Sequence, residues 1–313
     1  MIEIAILDDY QKVALDMADW LSLSDRANVR VFSDTITDFE QLVARLKPFH
    51  VLCVMRERTP LHGDLLRRLP NLKMIASTGP VNASIDTETT KELGITVVHT
   101  GYDSTPTIEM SWAMIMALAR NIIGEVNSVR NGGWQQKVGV GLRGKTLGIL
   151  GLGHVGGGVA RIGQAFGMEV IAWSQNLTPE KAQANGAIWV PKPELFERSD
   201  FLSIHMILSM RTKGLVNAEA LALMKPTSYL INMSRGPVID DQALINVLRA
   251  RKIAGAGLDV FDIEPLPVDH PFRSLDNVIA TPHIGYVSQE LYKIFYSDCV
   301  RNIGEWLDKN ANN

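Results

Sequence analysis

Residues 146–167 carry the most restrictive pattern in the chain. Thr146–Leu150 is an apolar run of strand length, Gly151-Leu-Gly-His-Val-Gly156 follows without a gap, and a helix-like segment opens after it. This is G-x-G-x-x-G in the strand, turn, helix setting that the motif requires. Gly151 permits the tight turn, Gly153 lets the main chain approach an anion, and Gly156 lets the helix lie close against the strand. The N–H groups of the first helical turn, those of His154 and Val155 among them, then face that anion with the positive end of the helix dipole. The same glycines can serve a plain tight turn, but this setting favours a nucleotide pyrophosphate.

The rest of the chain repeats the alternation. Short apolar runs at 2–7, 29–32, 51–55, 72–76 and 95–98 are separated by helix-like segments near 11–21, 38–47, 61–69 and 85–93. A long helix is expected from Thr105 and Pro106 to Ile123. A second series follows, with strands near 146–150, 169–173, 187–190, 200–204, 228–232, 254–258 and 277–280, helices near 155–167, 217–223 and 240–250, and a closing helix over 288–308. Strand and helix in strict alternation predict parallel sheets wrapped by helices. At 313 residues the chain has room for two such domains. The block 99–284 reads as one of them, and the last helix returns to the other.

Composition excludes several classes. Lys and Arg number 31 against 34 Asp and Glu, with no basic block, so nucleic acid is not an expected partner. Cys53 and Cys299 fit no zinc or disulfide spacing, and no cluster has metal-ligand spacing. The apolar stretch 110–123 is too short to span a bilayer, and the N-terminus lacks the bases of a signal peptide. A soluble, cytoplasmic protein is expected.

Three polar residues stand just beyond three successive strands of the second series: Arg235 after 228–232, Glu264 after 254–258 and His283 after 278–280. In a parallel sheet the carboxyl ends of the strands border the ligand crevice. Alone, each is an ordinary loop residue. Together, below a nucleotide loop, they suit hydride transfer at a carbinol carbon. His283 can carry the hydroxyl proton near neutral pH, Glu264 beside it favours the imidazolium and fixes the ring, and Arg235 can grip a carboxylate and carbonyl through its fork of donors. The strand 169–173 ends in Ser174-Gln175-Asn176, with neither the acid that holds a ribose 2′-OH nor an Arg for a 2′-phosphate. Both NAD and NADP are therefore open.

With these motifs in place, the sequence resembles the D-2-hydroxyacid dehydrogenase family, the group that includes D-3-phosphoglycerate dehydrogenase and glyoxylate/hydroxypyruvate reductase. The resemblance runs along nearly the whole chain and is densest over 142–285, in the segments Leu142–Gly153, Met224–Pro226, Ile231–Pro237, Gly255–Phe261 and Thr281–Gly285. It implies an α/β fold of two doubly wound parallel-sheet domains, a Rossmann domain over 99–284 inserted into a flavodoxin-like substrate domain of 1–98 plus 285–313. It implies catalytic Arg235, Glu264 and His283, and an Asp259 that binds the nicotinamide carboxamide. In the first domain it implies that backbone N–H groups of the loop with Thr78 and Gly79 cradle a substrate carboxylate and that Arg56 belongs to the substrate loop, with Arg58 equally readable as a solvated charge. Trp134 resembles a loop used across a homodimer formed through the cofactor domain, and reads equally as a structural plug.

The sequence departs from the family pattern at His205-Met-Ile-Leu208, where His205 is expected to line the cofactor, and at Tyr286, a bulky residue expected either to crowd the substrate end or to pack under the last helix. No regulatory domain is expected beyond that helix. Domain closure is expected to expel water from the reacting groups. The alternative function is a dinucleotide-sensing interaction protein of the corepressor kind, without turnover.

Overall fold

The computed structural model describes residues 1–310. The chain divides into two compact units, one of Met1–Asp103 with the chain from Val287 onward, the other of Ser104–Tyr286.

The first unit is built on β1 (Ile2–Ile6), β2 (Ala27–Val31), β3 (Val51–Val54), β4 (Met74–Ser77) and β5 (Thr96–His99), all parallel, in the order β2-β1-β3-β4-β5. That is the flavodoxin-like order, whose direction reverses between β1 and β3. Every residue of β3 and β4 is buried, as expected of strands covered on both faces. The helices α1 (Phe39–Leu46), α2 (Gly63–Leu66) and α3 (Thr87–Glu92) make the crossovers. Asp38 and Asp86 cap α1 and α3 by accepting backbone N–H groups of the first turn.

The helix expected over 11–21 does not form. Two short 3-10 turns, Ala14–Asp16 and Trp20–Leu23, stand there instead. Lys12 is left-handed, and the Asp9 carboxylate takes the N–H groups of Val13 and Ala14. Aspartates that bond nearby N–H groups compete with a helical ladder. Leu15 and Leu21, which completed the apolar pattern, are exposed.

The second unit holds α4 (Thr105–Ala119), α5 (Ile122–Arg130), β6 (Thr146–Leu150), α6 (His154–Ala165), β7 (Glu169–Trp173), α7 (Pro179–Ala184), β8 (Ile188–Trp189), α8 (Lys192–Arg198), β9 (Phe201–Ile204), α9 (Ala218–Ala222), β10 (Tyr229–Asn232), α10 (Asp241–Arg249), β11 (Gly255–Leu258) and β12 (Val278–Ala280). Its seven strands are parallel in the order β12-β11-β10-β9-β6-β7-β8, the doubly wound dinucleotide-binding arrangement extended by one strand. Side chains alternate between two cores. Leu150, Ile171, Leu202, Leu230 and Leu258 pack on one face, while Leu147, Ile149, Val170, Phe201 and Ile231 meet Met114, Ile115 and Leu118 of α4 on the other.

The single helix expected to Ile123 breaks at Asn121, which is left-handed (φ 50°), and α5 restarts beyond it with no buried residue. The helices α7 and α8 were not expected. Both are short and carry a proline in the first turn, and α8 nonetheless buries Leu195 and Phe196 in the core. The final helix, α11 (Gln289–Asn310), belongs to the first unit and buries Leu291, Phe295, Tyr296, Cys299 and Ile303. No helix among the described residues is long and apolar enough to cross a membrane.

Candidate active site

The direction of the larger sheet reverses between β6 and β9, so the loops after these two strands flank its crevice. Gly151 lies at φ 103°, and a Cβ there would stand 2.6 Å from the carbonyl oxygen of His205 in the neighbouring loop. A Cβ on Gly156 would overlap the Gly151 carbonyl oxygen. Gly153 differs from both: a Cβ there meets nothing within 4 Å. It is the exposed N-cap of α6, and no side chain caps the helix at this end. Exposed His154 and half-buried Val155 open the first turn, whose N–H groups have no partner within a helix. An open cradle of glycine and helix N-terminus fits a pyrophosphate.

Ser174 and Gln175 follow β7 in a turn closed by Leu177 N–H to Ser174 C=O, and no carboxylate occupies 174–176. His205 bonds Ser203 Oγ through Nε2 (2.8 Å), and its Nδ1 is buried with no partner in the chain. Burial drives its pKa down to about 3, which keeps the imidazole neutral. A neutral ring with an unanswered nitrogen beside the glycine turn fits cofactor lining better than acid–base work.

The strands β10, β11 and β12 are neighbours, and Arg235, Glu264 and His283 follow them in turn. His283 Nδ1 lies 2.6 Å from Glu264 Oε2, while Glu264 Oε1 accepts the Phe261 N–H at 2.9 Å. The carboxylate is thus held at one oxygen and offers the other to the imidazole. Arg235 is half-buried, with Nη1 on the Ser234 carbonyl (2.7 Å). Asn232 shapes its turn, accepting from Ser234 and donating to the Arg235 carbonyl. A Cβ on the next residue, Gly236, would overlap the Phe261 main chain, so the Arg235 turn rests directly on the loop that leads to Glu264. His283 is left-handed (φ 53°), a conformation that a residue with a Cβ adopts only under constraint. Among the described residues no group of three His, Cys, Asp or Glu is placed to hold a metal ion.

Comparison with known proteins identifies the family. Residues 112–285 match the family model described as D-isomer specific 2-hydroxyacid dehydrogenase, NAD binding domain. The chain belongs to the D-isomer specific 2-hydroxyacid dehydrogenase family. It is 40% identical to a glyoxylate reductase of Aeropyrum pernix over 72% of this chain and 71% of that one. It is 38% identical to a D-3-phosphoglycerate dehydrogenase of Methanocaldococcus jannaschii over 81% of this chain, and spans about half the length of that relative (49%). Among solved structures, a phosphoglycerate oxidoreductase of Vibrio cholerae o395 superposes with a TM-score of 0.94 at 36% identity, covering 99% of this chain and 100% of that one.

Several of the residues assigned by resemblance are engaged within the chain itself. Asp259, assigned to the nicotinamide carboxamide, is buried, and its carboxylate takes three donors of the chain itself: Thr281 Oγ1 (2.6 Å), Ile284 N–H (2.9 Å) and Gly285 N–H (2.7 Å). Burial raises its pKa, with these hydrogen bonds and His283 opposing. Tyr286 is only 5% exposed and meets the His283 ring edge-on at 5.5 Å. The cradle at Thr78 and Gly79 is already filled within the first unit. Thr78 N–H bonds Val54 C=O (3.0 Å) and Gly79 N–H bonds Thr100 Oγ1 (2.7 Å), because a hydroxyl from the end of β5 reaches across. What lies over Gly79 is the Arg56 guanidinium, whose Nη1 points at the Thr78 and Val81 carbonyls and whose plane nears the Tyr102 ring. Arg56 is itself left-handed, its N–H bonded to Thr78 Oγ1 (2.8 Å). Arg58 is no solvated charge: it donates to the Asp8 carbonyl (2.7 Å) and stacks over Tyr10.

Sequence reasoning missed Asn232 and the Thr281 hydroxyl as shapers of the site. The signal was a buried polar side chain inside a motif already singled out for its neighbours. Apart from these residues, Asp241 stands at the start of α10, 3.9 Å from His270. Burial, then the charges of Asp262 and Asp240, push the Asp241 carboxyl up to about 6. A carboxyl that holds its proton more tightly folded than unfolded withdraws stability as pH rises from about 4 to 6. Asp241→Asn is therefore expected to raise the melting temperature by about 2 °C at pH 8, after allowance for solvent screening. No gain is expected at pH 4. Thermal melts at the two pH values check this, and a gain at both would rule out the ionisation as cause.

Proposed function

We propose that this dehydrogenase reduces small 2-keto acids to D-2-hydroxy acids, and runs the reverse oxidation, with His283 and Glu264 as its acid–base pair and Arg235 as its substrate-orienting cation. The observation that carries the reading is the 2.6 Å contact between His283 Nδ1 and a Glu264 carboxylate anchored at its other oxygen. Bound nicotinamide supplies or accepts the hydride. With Nδ1 facing Glu264, His283 has Nε2 for the substrate oxygen: it gives up a proton as the carbonyl becomes a hydroxyl and takes one back in oxidation. Glu264 holds the ring in that orientation and stabilises the imidazolium. Arg235 grips the carboxylate and polarises the carbonyl with its forked donors.

Gly151, Gly153, His154, Val155 and Gly156 are the residues that would hold the pyrophosphate, with Ser174 and Gln175 at the adenosine ribose and His205 nearby. Since the turn after β7 carries no acid to repel a 2′-phosphate, NADPH is accepted beside NADH. The test is a reductase screen of glyoxylate, hydroxypyruvate and pyruvate with each cofactor. Turnover on at least one acid is expected, with kcat/KM for the two cofactors within about tenfold, a gap of about 1.4 kcal/mol. Dinucleotide binding without turnover on any 2-keto acid would overturn the reading in favour of a sensor.

The working unit proposed is a homodimer through the cofactor domain. The helix α5 leaves Ile122, Ile123, Val126 and Val129 exposed, and the segment after it exposes Trp134 and Val138. That segment is nonetheless built: Glu125 accepts the N–H groups of Gln136 and Lys137, and Ser128 donates to the Trp134 carbonyl. An ordered apolar surface of this kind suits a second copy. Val129→Asp combined with Trp134→Ala is expected to turn a dimer into a monomer by light scattering with an unchanged far-UV spectrum. A wild-type protein that is already monomeric would refute the dimer. The two buried free thiols, Cys53 and Cys299, fit a reducing compartment such as the cytoplasm.

A further inference from the structure

The turn that carries His283 is folded around a buried carboxylate. Asp259, just beyond β11, accepts Thr281 Oγ1 and Ile284 N–H on one oxygen and Gly285 N–H on the other. These donors flank His283 on both sides in sequence. On the downstream side the grip comes from geometry. Successive N–H groups after a left-handed residue converge on one anion, and His283 is that residue (φ 53°). A Cβ on Gly285 would come within 2.9 Å of Asp259 Oδ2, which shows how closely the turn wraps the carboxylate.

On the upstream side no main-chain group can do the same. Pro282 has no N–H, the His283 N–H is taken by the Thr281 carbonyl (3.0 Å), and the Thr281 N–H by the Leu258 carbonyl (2.9 Å). The group that ties this arm to Asp259 is the Thr281 hydroxyl, at 2.6 Å. We propose that Thr281 is a positioning residue for proton transfer: through Asp259 its hydroxyl holds the turn so that His283 Nδ1 stays on Glu264 and Nε2 is presented to the substrate. This rests on the reading of His283 and Glu264 as the acid–base pair.

The test compares Thr281→Val, Thr281→Ser and Thr281→Ala in the full chain. Removing the hydroxyl is expected to lower kcat about tenfold, as a reacting group displaced by a fraction of an ångström does, with the KM for NADH within twofold of wild type. Serine is expected to restore kcat to within about threefold. A second readout needs no turnover: the low-field proton resonance of the His283 Nδ1–H bonded to Glu264, identified by its absence in His283→Asn, is expected in wild type and Thr281→Ser and lost or shifted in Thr281→Val. Should the valine variant not fold, serine and alanine, which differ by one oxygen, carry the same comparison. Equal kcat and equal resonance with and without the hydroxyl would overturn the proposal. If wild type turns over no 2-keto acid, the functional reading fails on its own, and the resonance still decides whether Thr281 positions His283.

Discussion

His283→Asn is expected to lower kcat for 2-keto acid reduction by about 10³-fold, the scale of a lost general acid. Its melting temperature should stay within about 2 °C. Asparagine is the informative replacement because position 283 is left-handed, and Asn tolerates that backbone where most residues do not. An alanine there would mix lost chemistry with backbone strain. Glu264→Gln should be milder, about 10²-fold. The amide oxygen can still accept the Phe261 N–H, and what disappears is the charge opposite His283 Nδ1. Because the two side chains act as a unit, the double variant should be no slower than His283→Asn alone. Single-turnover rates with saturating NADH give the measurement. Retention of a tenth or more of the wild-type rate by His283→Asn would remove the imidazole from the chemistry.

Two glycine substitutions three positions apart should fail in different ways. At Gly153 the backbone is extended and a Cβ enters open space. The fold of Gly153→Ala should therefore be untouched, while NADH affinity falls by about 30-fold, near 2 kcal/mol, since the methyl occupies the approach of the pyrophosphate. At Gly156 the Cβ would overlap the Gly151 carbonyl oxygen, a main-chain atom that cannot swing aside. Gly156→Ala should cost about 3 kcal/mol of stability and lower the melting temperature by about 6–10 °C. Fluorescence titration with NADH and thermal melts separate the two. Unchanged NADH affinity in Gly153→Ala would mean that the open space at Gly153 is not a ligand's.

The sequence showed most clearly those features whose cause is local. The strands β3, β4 and β6 were readable because fully buried strands are continuous apolar runs, and the glycine loop because its spacing is set by one turn. The contact between Glu264 and His283 was anticipated from residue types at successive strand ends. Features with a distant or competing cause were not readable. The apolar spacing of 11–21 suggested a helix, yet the Asp9 side chain took the N–H groups of Val13 and Ala14. The N–H groups of Thr78 and Gly79 looked available until Val54 and Thr100, separated from them by 24 and 21 positions, were found bonded to them. The role of Asp259 came from the family resemblance alone, and nothing in its own segment shows the turn at 281–285 closing over it.

The contiguity of β10, β11 and β12 also sets a length scale. Parallel neighbours lie about 4.8 Å apart, so the outer two of these strands are separated by about 10 Å. On the function proposed above, a three-carbon acid would be large enough to touch side chains delivered from all three at once. The reactive head of the molecule is thereby metered by the sheet itself and leaves little room for selectivity. Discrimination among different acids must fall to whatever meets the tail beyond C2, so the loops that border that tail are where relatives with unlike preferences should diverge while these strand ends stay the same.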